Sequence, residues 1–395
     1  MINYPDIIVQ KRHTQRIQSG HLWVFSNELT KQPKLAPGTL VDFISDEGRF
    51  LGRGYYNPHS LIAGRILTRS KEENINSDFF FRRFQKALQY RESIYPGDTS
   101  YRMIYSEGDY LPGLVVDRYG EALVIQIMTA GMEKCKDTIV EQLTRLVSPS
   151  FILERSDATI RNYEGLAPTQ GVLAGIPSES IDIYQDGIKL TVNVLEGQKT
   201  GFFFDHRINR QSISEWVKGK EVLDLFCGVG PWALYAANWG ASQVLGIDSS
   251  SAALELARKN AASNGFTSCQ FQKGDVMEIL PTWIRDKKQY NVVICDPPAF
   301  AKSRPHLPVA RKGYVKLNRL AMSLVKPGGV LITSSCSQLV HRDEFRELVQ
   351  EAATKNGSQL RLLRTGSQSL DHPILISVPE TEYLKCLTVQ VYNMK

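Results

Sequence analysis

The chain has 395 residues, 42% of them hydrophobic and 22% charged, with a formal net charge of +6, a composition that fits a soluble protein of two or three domains. No apolar run approaches the roughly 18 residues a membrane span needs, and the start MINYPDIIVQKRH lacks the apolar centre of a signal peptide, so a cytoplasmic protein is expected. The six cysteines are scattered, with no C-x-x-C and no Cys/His cluster, which argues against disulfides and against any metal site.

Residues 1–72 read as a small β-rich module, in which Leu40–Ile44 and Leu61–Leu67 alternate with turn signals at Pro37-Gly38, Asp46-Glu47-Gly48 and Asn57-Pro58. Lys11, Arg12, Arg16, Arg53, Arg65 and Arg69 are interleaved with His21, Trp23, Phe25, Tyr55 and Tyr56. That pattern suits RNA, through phosphate contacts and base stacking; its alternative is a solvated surface over an aromatic core.

A polar linker, Ser70–Asp78, leads to a helical pattern over Phe79–Tyr95 and then to a hairpin with strands Leu114–Val116 and Ala122–Met128. A helix near Glu133–Val147 and strands at Phe151–Glu154 and Ile188–Val194 complete a central α+β domain, residues 73–195, that carries no recognisable chemistry. Next, GQKTGFFFDHRINRQSI gathers Lys199, Thr200, Asp205, Arg207 and Arg210 beside three phenylalanines. It is read as a lid over a cofactor pocket, with a domain-joining helix as the alternative.

Residues 196–395 are organised around Glu221–Asp248, EVLDLFCGVGPWALYAANWGASQVLGID. The apolar strand runs into Phe226 and then Gly228 and Gly230, which let backbone approach a ligand closely. Pro231 suits the first turn of a helix, and Asp248 ends the next strand, where a carboxylate can accept from ribose hydroxyls. Gly228, Gly230 and Ala233 also satisfy a dinucleotide fingerprint, so this stretch alone leaves NAD open. Two features favour S-adenosylmethionine (SAM). Asp224, just before the glycines, is placed to hold the cofactor's cationic amino group, and a later apolar strand ends in Asp296-Pro297-Pro298-Ala299-Phe300. Asp275 closes a further strand within reach of an adenine amino group. The helix Ala252–Ser263, a helix around Tyr314–Val325 stopping at Lys326-Pro327-Gly328-Gly329, the strand Val330–Ser334, the helix Arg342–Lys355 and two last strands predict an α/β, Rossmann-like doubly wound sheet with an antiparallel edge.

Between Pro297 and Arg342 there is no Asp or Glu, yet the stretch holds Lys302, Arg304, Arg311, Lys312, Lys316, Arg319, Lys326 and Arg342. It follows the strand end where ligands bind in such sheets, and a polyanionic acceptor is expected. Pro297, Pro298, Phe300 and Tyr314 join Lys302, Arg304, Arg311 and Lys312 as the substrate-RNA candidates. Cys336 ends a strand beside the one ending in Asp296. A thiolate adding to carbon 6 of a pyrimidine makes carbon 5 nucleophilic enough to take a methyl group. Asp296 is expected to hydrogen-bond ring nitrogen 3, provided burial raises its pKa enough to keep its proton. Cys227, Cys269, Cys295 and Cys386 read as small buried hydrophobes.

VLDLFCGVGPWAL, ICDPPAF, RKGYVKLN, TSSCSQL, YLPGLVVDRYG, EGQKTGFFFDHR and DHPILISVPETEYLK together resemble the RlmI family of ribosomal RNA cytosine-carbon-5 methyltransferases over nearly the whole chain. The resemblance implies an N-terminal PUA-like domain (1–72), a central mixed domain (73–195) and a C-terminal class I SAM-dependent methyltransferase domain (196–395) acting on 23S rRNA. It also implies Cys336 as nucleophile, Asp296 as its partner, and Asp224, Asp248 and Asp275 as SAM contacts. Other RNA cytosine methyltransferases carry a second cysteine after the motif's proline, where this chain has Pro298. A guanine-nitrogen methyltransferase and a non-catalytic RNA-binding scaffold remain the alternatives, and the sequence leaves a homodimer open.

Overall fold

The structure, a computed structural model, describes residues 4–195, 201–301 and 303–393. Of the candidate site residues, Lys199, Thr200 and Lys302 lie outside the described residues. The chain divides into two units: one holds the described residues up to Ile183, Asn193–Phe204 and Asp371–Thr381, and the other holds Tyr184–Val192, Asp205–Leu370 and the described residues from Glu382.

The first unit begins with β1 (Asp6–Val9), α1 (Lys11–Gln18), β2 (Trp23–Val24), β3 (Thr39–Ser45), β4 (Phe50–Tyr56) and β5 (Gly64–Thr68). These strands form one sheet in the order β1-β3-β4-β5-β2, with β1 parallel to β3 and the other pairs antiparallel. Val9, Ile17, Val24, Val41, Phe43, Tyr56 and Ile66 are its fully buried core, each contributing about 1.5–3 kcal/mol of hydrophobic stabilisation.

Of the basic and aromatic residues expected to face RNA, Arg12 and Arg69 stay exposed, while others are tied into the module. Arg53 is buried against Asp42 at 2.6 Å, and Arg65 against Glu164 at 2.9 Å. Arg16 is held by Glu28 at 2.8 Å, with its guanidinium over Phe25. Lys11 pairs with Glu47, Tyr55 and Tyr56 are buried, and the Trp23 indole donates to Glu107. The reason is electrostatic: cations drawn into an interior require acids, and acids distant in sequence supply them.

A second sheet in this unit is built from α2 (Ser77–Ile94), β6 (Ser100–Tyr105), β7 (Leu114–Tyr119), β8 (Ala122–Ile127), α3 (Ala130–Lys134), α4 (Lys136–Val147), β9 (Phe151–Ser156) and β10 (Thr169–Gly175), ordered β10-β9-β8-β7-β6. Asn76 caps α2 by accepting from Phe79 N at 3.0 Å, a cap worth about 1 kcal/mol. The expected hairpin is present, paired from Leu114↔Ile127 to Tyr119↔Ala122. The helix expected over 133–147 is instead two, broken at Cys135. Asp371 returns from late in the chain to accept from Arg102 N at 2.9 Å and, through its carbonyl, from Arg91 at 2.7 Å.

The two-stranded sheet β11 (Ser180–Gln185) and β12 (Ile188–Asn193) precedes α5 (Arg207–Gln211) and α6 (Ser214–Val217). There follow β13 (Glu221–Leu225), α7 (Pro231–Asn238), β14 (Gln243–Asp248), α8 (Ser251–Ser263), β15 (Cys269–Lys273), α9 (Val276–Arg285), β16 (Tyr290–Cys295), α10 (Leu307–Ser323), β17 (Val325–Ser335), α11 (Arg342–Asn356), β18 (Ser358–Gly366) and β19 (Lys385–Asn393). The sheet order is β15-β14-β13-β16-β17-β19-β18; the first five strands are parallel, and β19 runs antiparallel to both neighbours. The predicted doubly wound sheet with an antiparallel edge is therefore present. β17 starts earlier than expected because Lys326-Pro327-Gly328-Gly329 is absorbed as an irregularity between Tyr290↔Val325 and Val292↔Val330. α10 starts seven residues before Tyr314, at Leu307, with Pro308 in its first turn, where a missing N–H costs nothing.

Candidate active site

The loop after β13 follows from three residues with positive φ: Phe226 at 64°, Gly228 at 54° and Gly230 at 88°. A Cβ on Gly228 would meet nothing within 4 Å, whereas one on Gly230 would sit 3.2 Å from Ala257 Cβ and 3.3 Å from Phe271. Gly228 thus faces open space, and Gly230 lets α7 and α8 pack. Asp248, at the end of β14, accepts from Gly228 N and Ser250 N, both at 2.9 Å. Asp275 caps α9 by accepting from Met277 N at 2.7 Å and is exposed.

Asp224 is fully buried. Its Oδ2 accepts from Ala233 N at 3.1 Å, while Oδ1 has no hydrogen-bond partner among the described residues. Burial, reinforced by the nearby Asp296 charge, raises its pKa well above the ordinary carboxylate value, so a cation beside the orphaned oxygen would relieve the cost of its charge. An orphaned buried carboxyl oxygen, an open glycine and an acceptor at the next strand end form a cradle that fits a cationic, ribose-bearing cofactor. Phe226 borders that cradle through its place in the loop.

The other half of the site lies where β16 and β17 end. Cys295 pairs with Thr333, which sets Asp296 beside Ser334, and Ser334 Oγ donates to Asp296 Oδ1. His206 Nε2 lies 3.2 Å from the same oxygen, and the Trp232 indole donates to Oδ2 at 3.0 Å. This corrects one expectation. Burial opposes the Asp296 charge, but His206, Ser334 and Trp232 more than offset it and hold the carboxyl below its usual range. The His206 pKa is raised by the same pairing, against its own burial and the charge of Arg210. The two acids of this site are thus shifted in opposite directions, Asp296 downward and Asp224 upward. His206, unremarked between two residues of the candidate set, carried a signal in its position within the FFFDHR segment.

Cys336 is half-buried, with Sγ 4.0 Å from the Pro297 carbonyl oxygen, so the thiol and the Asp296 strand end are brought together. Its flanking serines are buried supports: Ser335 Oγ donates to Tyr314 Oη at 2.9 Å, and Ser337 Oγ lies 2.8 Å from the same hydroxyl. Tyr314 is fully buried, its ring tilted at 37° to that of Phe300 with centroids 4.7 Å apart, so it braces the cysteine turn from within. Pro297 is buried, Pro298 exposed and Phe300 intermediate.

Two further expectations change. Asp205 accepts from Tyr383 Oη at 2.5 Å and Arg207 pairs with Asp186 at 2.6 Å; both are buried and tied to other parts of the fold. The basic stretch is not unopposed either, because Arg311 pairs with Glu344, Lys326 with Glu221 at 2.6 Å and Arg342 with Glu382. Lys312, Lys316 and Arg319 remain exposed at i, i+4 and i+7 of α10, with Arg304 exposed just before it. They form a positive stripe on one helix face.

Comparison with known proteins places the chain in a family. A PUA-like domain profile matches residues 7–69, and an S-adenosylmethionine-dependent methyltransferase profile matches residues 135–366. The chain is 42% identical over 383 residues to the ribosomal RNA large subunit methyltransferase I of Shewanella denitrificans, covering 95% of this chain and 96% of that one. It is 38% identical over 390 residues to that of Alteromonas mediterranea, covering 98% of each. A crystal structure of a protein described as a methyltransferase, complexed with SAH, matches with a TM-score of 0.85 at 22% identity, covering 98% of this chain and 100% of that one; likeness at that identity shows the fold. With an N-terminal PUA-like domain, a SAM-dependent methyltransferase profile over more than half its length and near-full-length relatives, the chain belongs to the ribosomal RNA large subunit methyltransferase I family of SAM-dependent methyltransferases.

Proposed function

We propose that this protein methylates carbon 5 of a cytosine in 23S ribosomal RNA, through a covalent adduct at Cys336. The observation that carries the reading is the half-exposed Cys336 thiol beside the strand end that holds the paired Asp296 carboxylate. Methylation of a guanine nitrogen, the rival chemistry, needs no thiol there.

SAM supplies an electrophilic methyl group. Asp224 takes on charge against the cofactor's ammonium, and Asp248 and the Gly228 backbone orient its ribose. Cys336 as thiolate forms a bond to carbon 6, and the displaced electron pair moves to ring nitrogen 3. Nitrogen 3 takes a proton drawn from the His206–Asp296 pair, which leaves carbon 5 enamine-like and able to accept the methyl group. Water acting as base then removes the carbon-5 proton, the sulfur–carbon bond breaks, and the nitrogen-3 proton returns to the pair. Cys295 takes no part: it is buried, and burial beside Asp296 pushes its thiol pKa up.

Lys312, Lys316, Arg319 and Arg304 are assigned to RNA phosphates, and Pro298 and Phe300 to the entry of the target base. Residues 1–72 and 73–195 are assigned to RNA positioning and 196–395 to catalysis. The cytoplasm is the assigned location; among the described residues no helix is long and apolar enough to cross a membrane.

The test is to incubate the protein with labelled SAM and unmodified rRNA, digest the RNA and identify the labelled nucleoside, with Cys336→Ala in parallel. Labelled 5-methylcytosine from the wild type and none from the variant is the expected result. Labelled guanosine from both would overturn the proposal.

A further inference from the structure

Lys385 is a buried cation that the chemistry above does not use. It is the first residue of β19 and pairs with Ser335, the residue before Cys336, across the antiparallel β17–β19 ladder. The side chain is 3% exposed. Its ammonium donates to the carbonyl of Ser337, the residue after Cys336, at 2.6 Å, and to that of Tyr383 at 2.7 Å. The lysine therefore flanks the cysteine turn on both sides: its backbone lies opposite the residue before the thiol and its charge on the residue after it. A buried ammonium held, among the described residues, by neutral carbonyls is costly, and burial does lower its pKa, to about 8. The Cys336 charge opposes that fall, as do the carboxylates of Glu382 and Glu344, while Arg342 adds to it. Tyr314, from α10, hydrogen-bonds Ser335 and Ser337 on either side of the cysteine.

We propose that Lys385 is a positioning residue that holds Cys336 as a thiolate, its ammonium acting as the buried counter-charge to the sulfur while its carbonyl bonds fix the turn that presents it. The inference rests on Cys336 being the nucleophile. No proton need move in the methylation step for this role. Lys385 biases the resting protonation state, as nearby lysines do for reactive thiols elsewhere.

The experiment follows alkylation of Cys336 by iodoacetamide as a function of pH, read on the Cys336 peptide by mass spectrometry in the full chain. Wild type is compared with Lys385→Met and Lys385→Arg. The wild-type midpoint is expected below the roughly 8.5 of an ordinary thiol. Lys385→Met should raise it by about 1–3 pH units, the range of shift a neighbouring opposite charge produces, and Lys385→Arg should keep it near wild type. A purely structural lysine would not move a pH midpoint selectively by charge. An unmoved midpoint in Lys385→Met overturns the proposal. So does a wild-type midpoint at or above that of an ordinary thiol, which decides the matter even if the methionine variant does not fold. Failure of the carbon-5 reading shows separately, as methyl transfer that survives Cys336→Ala.

Discussion

Asp224 and Asp296 answer burial in opposite ways because only one of them has partners for its charge. Asp224 has one backbone donor and an orphaned oxygen, so its pKa is raised. A cationic cofactor should ionise it, and SAM binding should release a proton. Calorimetry in buffers of differing ionisation enthalpy measures this, with affinity rising as pH increases. The raised pKa also means that the folded chain binds more protons than the unfolded one once pH exceeds the ordinary carboxylate value, so the acid weakens folding there. Asp224→Asn should therefore raise the melting temperature of the cofactor-free protein at pH 7 to 8. It should also weaken SAM binding by roughly tenfold or more, the loss expected for a charge-assisted hydrogen bond.

The His206–Asp296 pair has the opposite sign. The raised His206 pKa contributes stability that is complete below the ordinary histidine value and is lost as pH rises through the folded one. The depressed Asp296 pKa contributes stability present above the ordinary carboxylate value and lost as pH falls through the folded one. His206→Gln should thus destabilise the protein more at pH 6 than at pH 9, by up to ~3–5 kcal/mol at the lower pH. Thermal unfolding at the two pH values checks this, and an equal loss at both would contradict it.

At the scale of elements, the β13–loop–α7 unit separates two kinds of glycine. Gly230→Ala meets both a left-handed φ and the walls of α8 and β15, and should cost about 1–2 kcal/mol of stability. Gly228→Ala has the strained φ without the walls, so its added effect should fall on SAM affinity; denaturation and calorimetry together distinguish the two. On α10, replacing Lys312, Lys316 and Arg319 by alanine should weaken RNA binding uniformly across sequences. The slope of log affinity against log salt should flatten by roughly 0.7–0.9 for each phosphate left without its cation. An unchanged slope would remove the stripe from the RNA interface.

Over the whole molecule, what could be read in advance was what local pattern controls. Apolar strands ending in glycines, in Asp296 or in Cys336 announce a doubly wound sheet and the edge where its chemistry gathers, because strand ends and turn residues are written contiguously. The misread residues depend on partners far along the chain. Arg53 and Arg65 looked available because Asp42 and Glu164 are not their neighbours in sequence. Tyr314 looked like an RNA-binding residue because its burial under Phe300 and the serines arises only in the folded sheet. The return of Asp371–Thr381 to the first unit has no local signal at all.

A covalent bond from Cys336 to carbon 6 of the target cytosine is the step on which the proposed chemistry stands. Its most direct test presents the protein and SAM with rRNA carrying 5-fluorocytosine, whose carbon-5 fluorine cannot leave as a proton does, so that the adduct is trapped after methyl transfer. A denaturation-resistant protein–RNA species is predicted, with Cys336 in its cross-linked peptide, and none in Cys336→Ala. Turnover of unmodified rRNA with no trapped species, or a trapped species on another residue, would contradict it.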